Sequence, residues 1–465
     1  MTASTTATTA AASTGEDPVP TGTEPALSTG PALTTGGSSS EPFVPCEPGE
    51  CGEQTCHPEL GICVACVTND ECKDTGLPHC DARSHECGPC VMNAECGGSS
   101  DPVCDLETGD CRPCRDHRDC EETACDLQQG TCFPVEQTDH LYVEAVNGCS
   151  DQMVEPMCSK DEPCCEIASA LAGPLLVAPY VVVHVAKGSY VAEVRVDTPE
   201  KTIAVLADEG TTLSVMSAMP NTSAFVLSDI DPMIMVASRV FVSNLDVTGG
   251  NTSMAYSCDL AGLLWLDHSE VYAHPGYPMS VANCSVVLDR SQLRDNGNGV
   301  LAGTNAYISL RNTTSGNATA GAALQTAGNG ILDVVYSTIG DPSGSPNRIL
   351  TCVPGTNVTI RNSALLAAPH IAPPLGCVPV ASHSAFVKES FFIAGDGNVG
   401  IEASEVMTAL FVNFAGSDYN LAGDGGSLVD VARWQTGDPA TDLNDALRPA
   451  VDPSPDVAGA DLPGG

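Results

Sequence analysis

Seven short segments in the C-terminal part of this chain share one pattern. A small hydroxyl residue is followed by an apolar residue one position later, with polar residues ahead of it. The segments are anchored at Ser243, Ser269, Ser291, Thr313, Ser337, Ser363 and Ser390, in steps of 26, 22, 22, 24, 26 and 27 residues. Short aliphatic runs punctuated by Asn, Gly, Asp and Pro lie between them, without helical periodicity. A strand-rich repeat of this length cannot bury its own apolar face, so successive turns must stack on one continuous core. The spacing predicts a parallel β-solenoid over 166–430.

Four cysteines test this register. Cys258 and Cys284 are 26 residues apart, and Cys352 and Cys377 are 25 apart. Each pair is one repeat apart, so adjacent rungs about 4.8 Å apart bring them within disulfide reach. Both bridges are expected. Cys149, Cys158, Cys164 and Cys165 stand just ahead of the first rung, where they are expected to staple an N-terminal cap at 138–165.

Residues 46–132 hold sixteen cysteines in four groups of four: Cys46, Cys51, Cys56, Cys63; Cys66, Cys72, Cys80, Cys87; Cys90, Cys96, Cys104, Cys111; and Cys114, Cys120, Cys125, Cys132. A module of this size cannot fold on a hydrophobic core and needs two staples. The rival reading is zinc, because Cys63/Cys66 and Cys87/Cys90 form C-x2-C pairs. Those pairs straddle module boundaries, which favours disulfides. The pairing within a module stays open. The last loop often carries Asp first and Gly late (CDLETGDC, CDLQQGTC), the signature of a short hairpin.

Residues 1–45 are Ser, Thr, Ala, Gly and Pro, with PALSTG and PALTTG as a small repeat, and read as a disordered stalk. Twenty-four cysteines call for an oxidising compartment, so the protein is expected outside the cytosol, secreted or at the cell surface. The start at Met1 lacks a basic region and an apolar core, so an export signal is expected upstream, where a lipid anchor of the outer-membrane lipoprotein kind could also be carried. No run is long and apolar enough to be a transmembrane segment. The formal charge of -41, from 59 acidic and 18 basic residues, argues against nucleic acid as a partner. No cofactor is implied.

The run from Cys165 (CEIASALAGP, then YVVVHVAKGSYVAEVRVDTPEKTIAVLADEG) resembles the opening rungs of pectin-lyase-like right-handed parallel β-helix proteins. Gly188, Ser189 and Tyr190 stand at their G-x-Y turn, with Glu193 one place later than the usual acid. The end, SDYNLAGDGGSLVDVA followed by TDLNDALRPAVDPSPDVAGADLP, is similar to the closing segment of bacterial β-helix surface proteins. With the cysteine modules, the chain is similar to exported myxobacterial β-helix proteins. The resemblance implies an all-β, single-stranded right-handed β-helix, with a C-terminal cap and tail at 431–465. It says little about activity, because this fold hosts lyases, hydrolases, esterases, epimerases and adhesins alike.

Those enzymes leave recognisable residues, and they are missing here. There is no adjacent Asp pair with a Gly-His-Gly turn, no DFIFG-like strand and no DPHD-like run. Only Lys187, Lys201 and Lys388 supply lysine to the β-helix. Asp229 and Asp231 at a turn could bind calcium, although a turn carboxylate before Pro is more often a cap. The run Arg294 to Gly299 (RDNGNG) reads as a structural corner. Six N-x-[ST] sequons, Asn357 among them, are expected corner residues.

Two columns precede the repeat anchors. Two places before stand Asp267, Asp289, Arg311, Val335, Arg361 and Lys388; one place before stand His268, Arg290, Asn312, Tyr336, Asn362 and Glu389. Stacked on one face they would form a polar stripe able to hold a polysaccharide or a surface protein, or else a plain solvated face. The expected function is non-catalytic binding of extracellular glycan or a surface partner, as in an adhesin. The alternative is a polysaccharide lyase or glycoside hydrolase with an unrecognised site.

Overall fold

The computed structural model describes residues 46, 51, 54–75, 77–96, 101–145, 149, 158–172, 175–214, 223–228, 238–249, 254–259, 262–342, 349–367, 376–388, 393–449 and 451–463. The stalk at 1–45, the Asp229/Asp231 turn and the segment with Ser390 and Glu389 lie outside them. The chain forms two compact units, Met1–Val64 and Ala65–Gly465. The first holds one cysteine module, a hairpin of Thr55–Cys56 against Cys63–Val64 closed by Cys46–Cys56 and Cys51–Cys63.

The second unit begins with three more modules of the same design. Each is a two-residue hairpin: His79–Cys80 with Cys87–Gly88, Val103–Cys104 with Cys111–Arg112, and Cys125–Asp126 with Thr131–Cys132. In every module the first cysteine bonds the third and the second bonds the fourth. All the cysteines are paired. The hairpin loops follow from their sequence. Asp81, Asp105 and Asp126 accept hydrogen bonds from the backbone N–H groups two and three residues on, the Asx-turn geometry. Gly109 and Gly130 supply the left-handed residue, and a Cβ on Gly109 would come 2.3 Å from Pro89 Cβ.

The body is a parallel β-solenoid of about seven turns, built from three ladders. The first runs through Tyr180–Val185, Leu263–Asp267, Ser285–Asp289, Tyr307–Arg311, Ile331–Val335 and Asn357–Arg361, all in parallel register. The second includes Glu270–Tyr272, Gln292–Arg294, Thr314–Gly316 and Thr338–Asp341. The third is a seven-stranded sheet from Val194–Val196 to Leu350–Thr351. Alternate residues point inward and fill the core with Val, Ile and Leu, for example Val183, Val205, Val242, Leu266, Leu288, Leu310 and Val334. Thr138–Val143 pairs in parallel with Tyr180–Val185, so the first rung lies within the segment expected to be only a cap. Cys149–Cys165 and Cys158–Cys164 staple the cap region, and Ile167 and Ala170 of the short helix that follows it, with Leu171 just past the helix, are buried in the solenoid core.

The repeat in the sequence is a hydroxyl ladder at the bend between the first two ladders. Ser269, Ser291, Thr313, Ser337 and Ser363 are buried, and each hydroxyl donates to the carbonyl two residues earlier. Within the ladder the Ser291, Ser337 and Ser363 hydroxyls accept from the backbone N–H of the preceding turn's anchor. A sharp turn leaves these backbone groups without sheet partners, and a hydroxyl satisfies two of them at once. The expected register needs correcting at both ends. Ser243 pairs with Asp267 rather than sharing a rung with Ser269. At the far end Ser384 takes the place expected for Ser390, accepting from Ser363 N. Cys258–Cys284 and Cys352–Cys377 are disulfide-bonded, with Cα–Cα separations of 5.9 and 5.5 Å.

No helix among the described residues is long and apolar enough to cross a membrane.

Candidate functional site

One residue between the first and second ladders turns each coil, and it is left-handed in successive turns: Asn244, His268, Arg290, Asn312, Tyr336, Asn362 and His383 have φ between 45 and 57°. Asn tolerates this conformation at little cost, whereas His, Arg and Tyr carry strain that the surroundings must offset. The chain's own C-terminal segment lies over this column from His268 to Asn362.

Arg290 sits at the N-terminal end of the contact. Its Nε and Nη2 donate to Asp267 at 2.9 and 3.0 Å, and its Nη1 donates to Asp445 Oδ1 at 2.9 Å. His268 joins the same two carboxylates, with Nδ1 3.0 Å from Asp267 and Nε2 3.2 Å from Asp445. Burial pushes the Asp267 carboxyl upward, but the His268 hydrogen bond and the Arg290 charge outweigh it and hold the group below its ordinary range. The same pairing outweighs burial at His268 and raises it. Farther along, Asn312 Nδ2 donates to Thr441 O at 2.8 Å. The Arg448 guanidinium lies 3.9 Å from the Tyr336 ring centroid and 3.2 Å from Asp456. Asn362 exchanges hydrogen bonds with the Arg433 backbone, and Arg361 pairs with Asp438.

The expected open stripe is therefore corrected. Asp267, Arg290 and Tyr336 are buried, and His268 and Arg361 are partly covered by Asp445 and Asp438. Asp289 is half-buried, and burial pushes its carboxyl up despite the nearby charges of Arg311 and Arg290. Val335 is also buried. Ser382, not Lys388, stands opposite Arg361. Arg311 keeps some exposure and lies over Trp265, 5.8 Å from its centroid. The stripe is a socket for the tail.

A second outward column, Val182, Ala204, Phe241, Trp265 and Val287, is apolar and covered by Ala124 and Phe133 of the fourth cysteine module. Arg239 pairs with Asp126 at its edge. The module is thus docked on the solenoid rather than strung beside it.

Where module, solenoid and tail meet there is a cavity of about 700 Å³. The module contributes Asp116, His117 and Glu121, the solenoid His184, Glu209, Asp246, His268 and Glu270, and the tail Asp445. Asp246 accepts from Glu270 N at 3.1 Å, and burial, with the Glu270 charge, pushes its carboxyl up to about 6. Glu270 pairs with Arg294, which lies 4.8 Å from the Tyr272 centroid. His184 stacks on Tyr142, centroids 4.8 Å apart, and approaches His140 at 3.0 Å. His117 accepts from Cys125 N through Nδ1 at 3.1 Å, and burial pushes its pKa down to about 4. Its neutral ring therefore carries hydrogen on Nε2, which is buried and has no hydrogen-bond partner.

Asp246, Glu270 and His117 were not among the residues singled out from sequence. Asp246 and Glu270 share a rung, since Val247 pairs with Val271. Aligning Ser243 with Ser269 slips that register by two residues and hides the pair. His117 offered no signal, because a single histidine in a cysteine module does not announce what the module packs against. The Arg294–Gly299 corner is structural, with Asn296 bonding His274 N and Val271 O.

The fold and this junction define a parallel β-solenoid braced by disulfide modules, with a polar cavity at the brace. No family model matches the chain, and no curated protein matches it.

Proposed function

We propose that this is an exported, cell-surface or secreted solenoid protein that binds extracellular glycan, without catalysis, in the cavity between the fourth cysteine module and the solenoid. The observation that carries this reading is the cavity itself, lined by carboxylates and imidazoles drawn from three separate parts of the chain. Its size lies in the range of small-ligand sites. The pervasive disulfides fit an oxidising compartment. The pectin-lyase-like kinship and the lipid anchor belong to the same proposal. The test is a glycan array probed with the intact oxidised protein, with the same wells assayed for unsaturated and reducing-end products. Binding without products supports the reading, and silence across neutral, acidic and amino glycans overturns it.

A hydrolytic reading has one observation in its favour. Asp246, pushed up to about 6 by burial, stands on the same rung as Glu270, and a pair of carboxyls is what glycosidases use for acid and base roles. Products in the array wells would select it.

A further inference from the structure

We propose that His140 and His184 form a site for a divalent transition metal of the copper(II) or nickel(II) kind, ligated through His140 Nδ1 and His184 Nε2. The site is independent of the glycan-binding reading. The two side chains meet because of the strand period and the stacking of rungs. His140 and Tyr142 stand two residues apart on Thr138–Val143, so both leave the same face, while Leu141 and Val143 turn into the core. His184 stands opposite Tyr142 on the next rung. Its ring stacks on Tyr142 with centroids 4.8 Å apart and planes inclined by 15°, and lies as nearly parallel to the His140 ring, 5.3 Å away. This packing holds His184 Nε2 at 3.0 Å from His140 Nδ1.

Two nitrogens this close do not both carry hydrogen, so at least one lone pair faces the gap. The shared hydrogen is free to move to the far side of its ring, because neither His140 Nε2 nor His184 Nδ1 has a hydrogen-bond partner among the described residues. Each neutral imidazole then presents a lone pair at the contact, the form in which histidine binds metal. Burial, with the His140 charge, pushes the His184 pKa down and favours that neutral ring. The spacing also selects the ion. With bonds of about 2.0–2.1 Å to each nitrogen, a separation of 3.0 Å gives an angle at the metal of roughly 95°. That is the cis angle of square-planar or octahedral coordination, which copper(II) and nickel(II) take with nitrogen ligands, and it is narrower than the tetrahedral angle of structural zinc.

The protein supplies two ligands and leaves the other positions open. Among the described residues, the groups of three or more candidate ligand atoms within 4.8 Å of one another are cysteine clusters, whose sulfurs are in disulfides. Beside His184 lies a cavity of about 330 Å³ that also touches Tyr142, Glu144, Lys160 and Asp208. Water or a small chelating ligand completes the coordination from that side. With every cysteine bonded, no thiolate competes for the ion.

The experiment titrates copper(II) chloride into the intact oxidised protein, followed by calorimetry and electron paramagnetic resonance, beside His140→Gln, His184→Gln and the control His57→Gln from the separate first unit. A single copper with hyperfine structure from two imidazole nitrogens is expected in the protein and in the control. Each site variant should weaken binding at least about tenfold, since removing even an outer-shell partner of a ligand costs that much. Unchanged affinity in either site variant overturns the assignment, as does an equal loss in the control. Zinc bound as tightly as copper overturns the cis geometry. A second measurement needs no substitution. In protein carrying labelled histidine, substoichiometric copper should broaden the His140 and His184 resonances first among the ten histidines, and earlier broadening of any other overturns the site.

Discussion

Arg290 Nη1 lies 2.9 Å from Asp445 Oδ1, across 155 residues of sequence. This contact joins the bend of one solenoid turn to the tail, and the same guanidinium neutralises buried Asp267. The tail is thus held by a charge network that also relieves an internal problem of the solenoid, and the two partners should respond differently to substitution.

Arg290→Met removes the cation from Asp267, whose side chain is 1% exposed. His268 still faces that carboxylate, so loss of the guanidinium should cost about 3 kcal/mol, the low end for removing one partner of a buried pair. Asp445→Ala, at a side chain 40% exposed, leaves Asp267 paired and should cost about 1 kcal/mol after solvent screening. Urea unfolding measures both, and equal effects would refute the asymmetry.

Ser337 is fully buried, donating to Val335 O and accepting from Thr313 N. Ser337→Ala leaves both backbone groups without that partner and should cost about 1–3 kcal/mol. Ser337→Thr keeps the hydroxyl, as Thr313 does on the neighbouring turn, and should retain most of the stability. Thermal melts of the two variants distinguish a hydroxyl ladder from simple packing.

Phe133 is 2% exposed and lies 5.2 Å from Tyr180 and 6.3 Å from Phe241, centroid to centroid. Phe133→Ala should cost about 3–5 kcal/mol in docking of the module. The disulfides Cys114–Cys125 and Cys120–Cys132 keep the module itself intact. Limited proteolysis should therefore cut first between the module and the solenoid, while the solenoid alone resists. Unchanged cleavage would mean that the module does not depend on this contact.

The pH response of the tail contact follows from His268 and Asp267. His268 is raised above its ordinary 6.5 in the folded state, so its contribution is complete below about 6.5 and fades as pH rises through the raised value. Asp267 is lowered from 3.8, so its contribution is complete above 3.8 and fades only as pH falls through the depressed value. The stability difference between the protein and His268→Gln should be greatest below pH 6.5 and shrink on the alkaline side. Urea midpoints of both proteins at several pH values check this, and a difference that grows with pH would refute it.

The solenoid was legible in the sequence because a bend must satisfy the same two backbone groups on every turn. That requirement prints a buried hydroxyl at Ser269, Ser291, Thr313, Ser337 and Ser363, at near-regular spacing. The disulfide modules were legible for a similar reason, since a segment too small for a core must write its staples into the sequence. Their pairing was not, because four cysteines in a loop allow three connectivities and only the hairpin geometry selects one. The register slipped where the pattern stopped: Ser243 belongs to the Asp267 rung, and Ser384 replaces Ser390 as the last hydroxyl.

The polar column beside the ladder was visible as residues, but its role was decided in three dimensions. An outward-facing Asp267, Arg290 or Tyr336 reads the same whether water, a ligand or the protein's own tail covers it. Sequence fixes which side chains leave the core, through the two-residue period of a strand. What meets them depends on where distant segments pack, and Asp445, Arg448 and Phe133 reach the solenoid only through the tertiary fold. The junction cavity is the product of that packing, which is why its carboxylates and His117 carried no local signature.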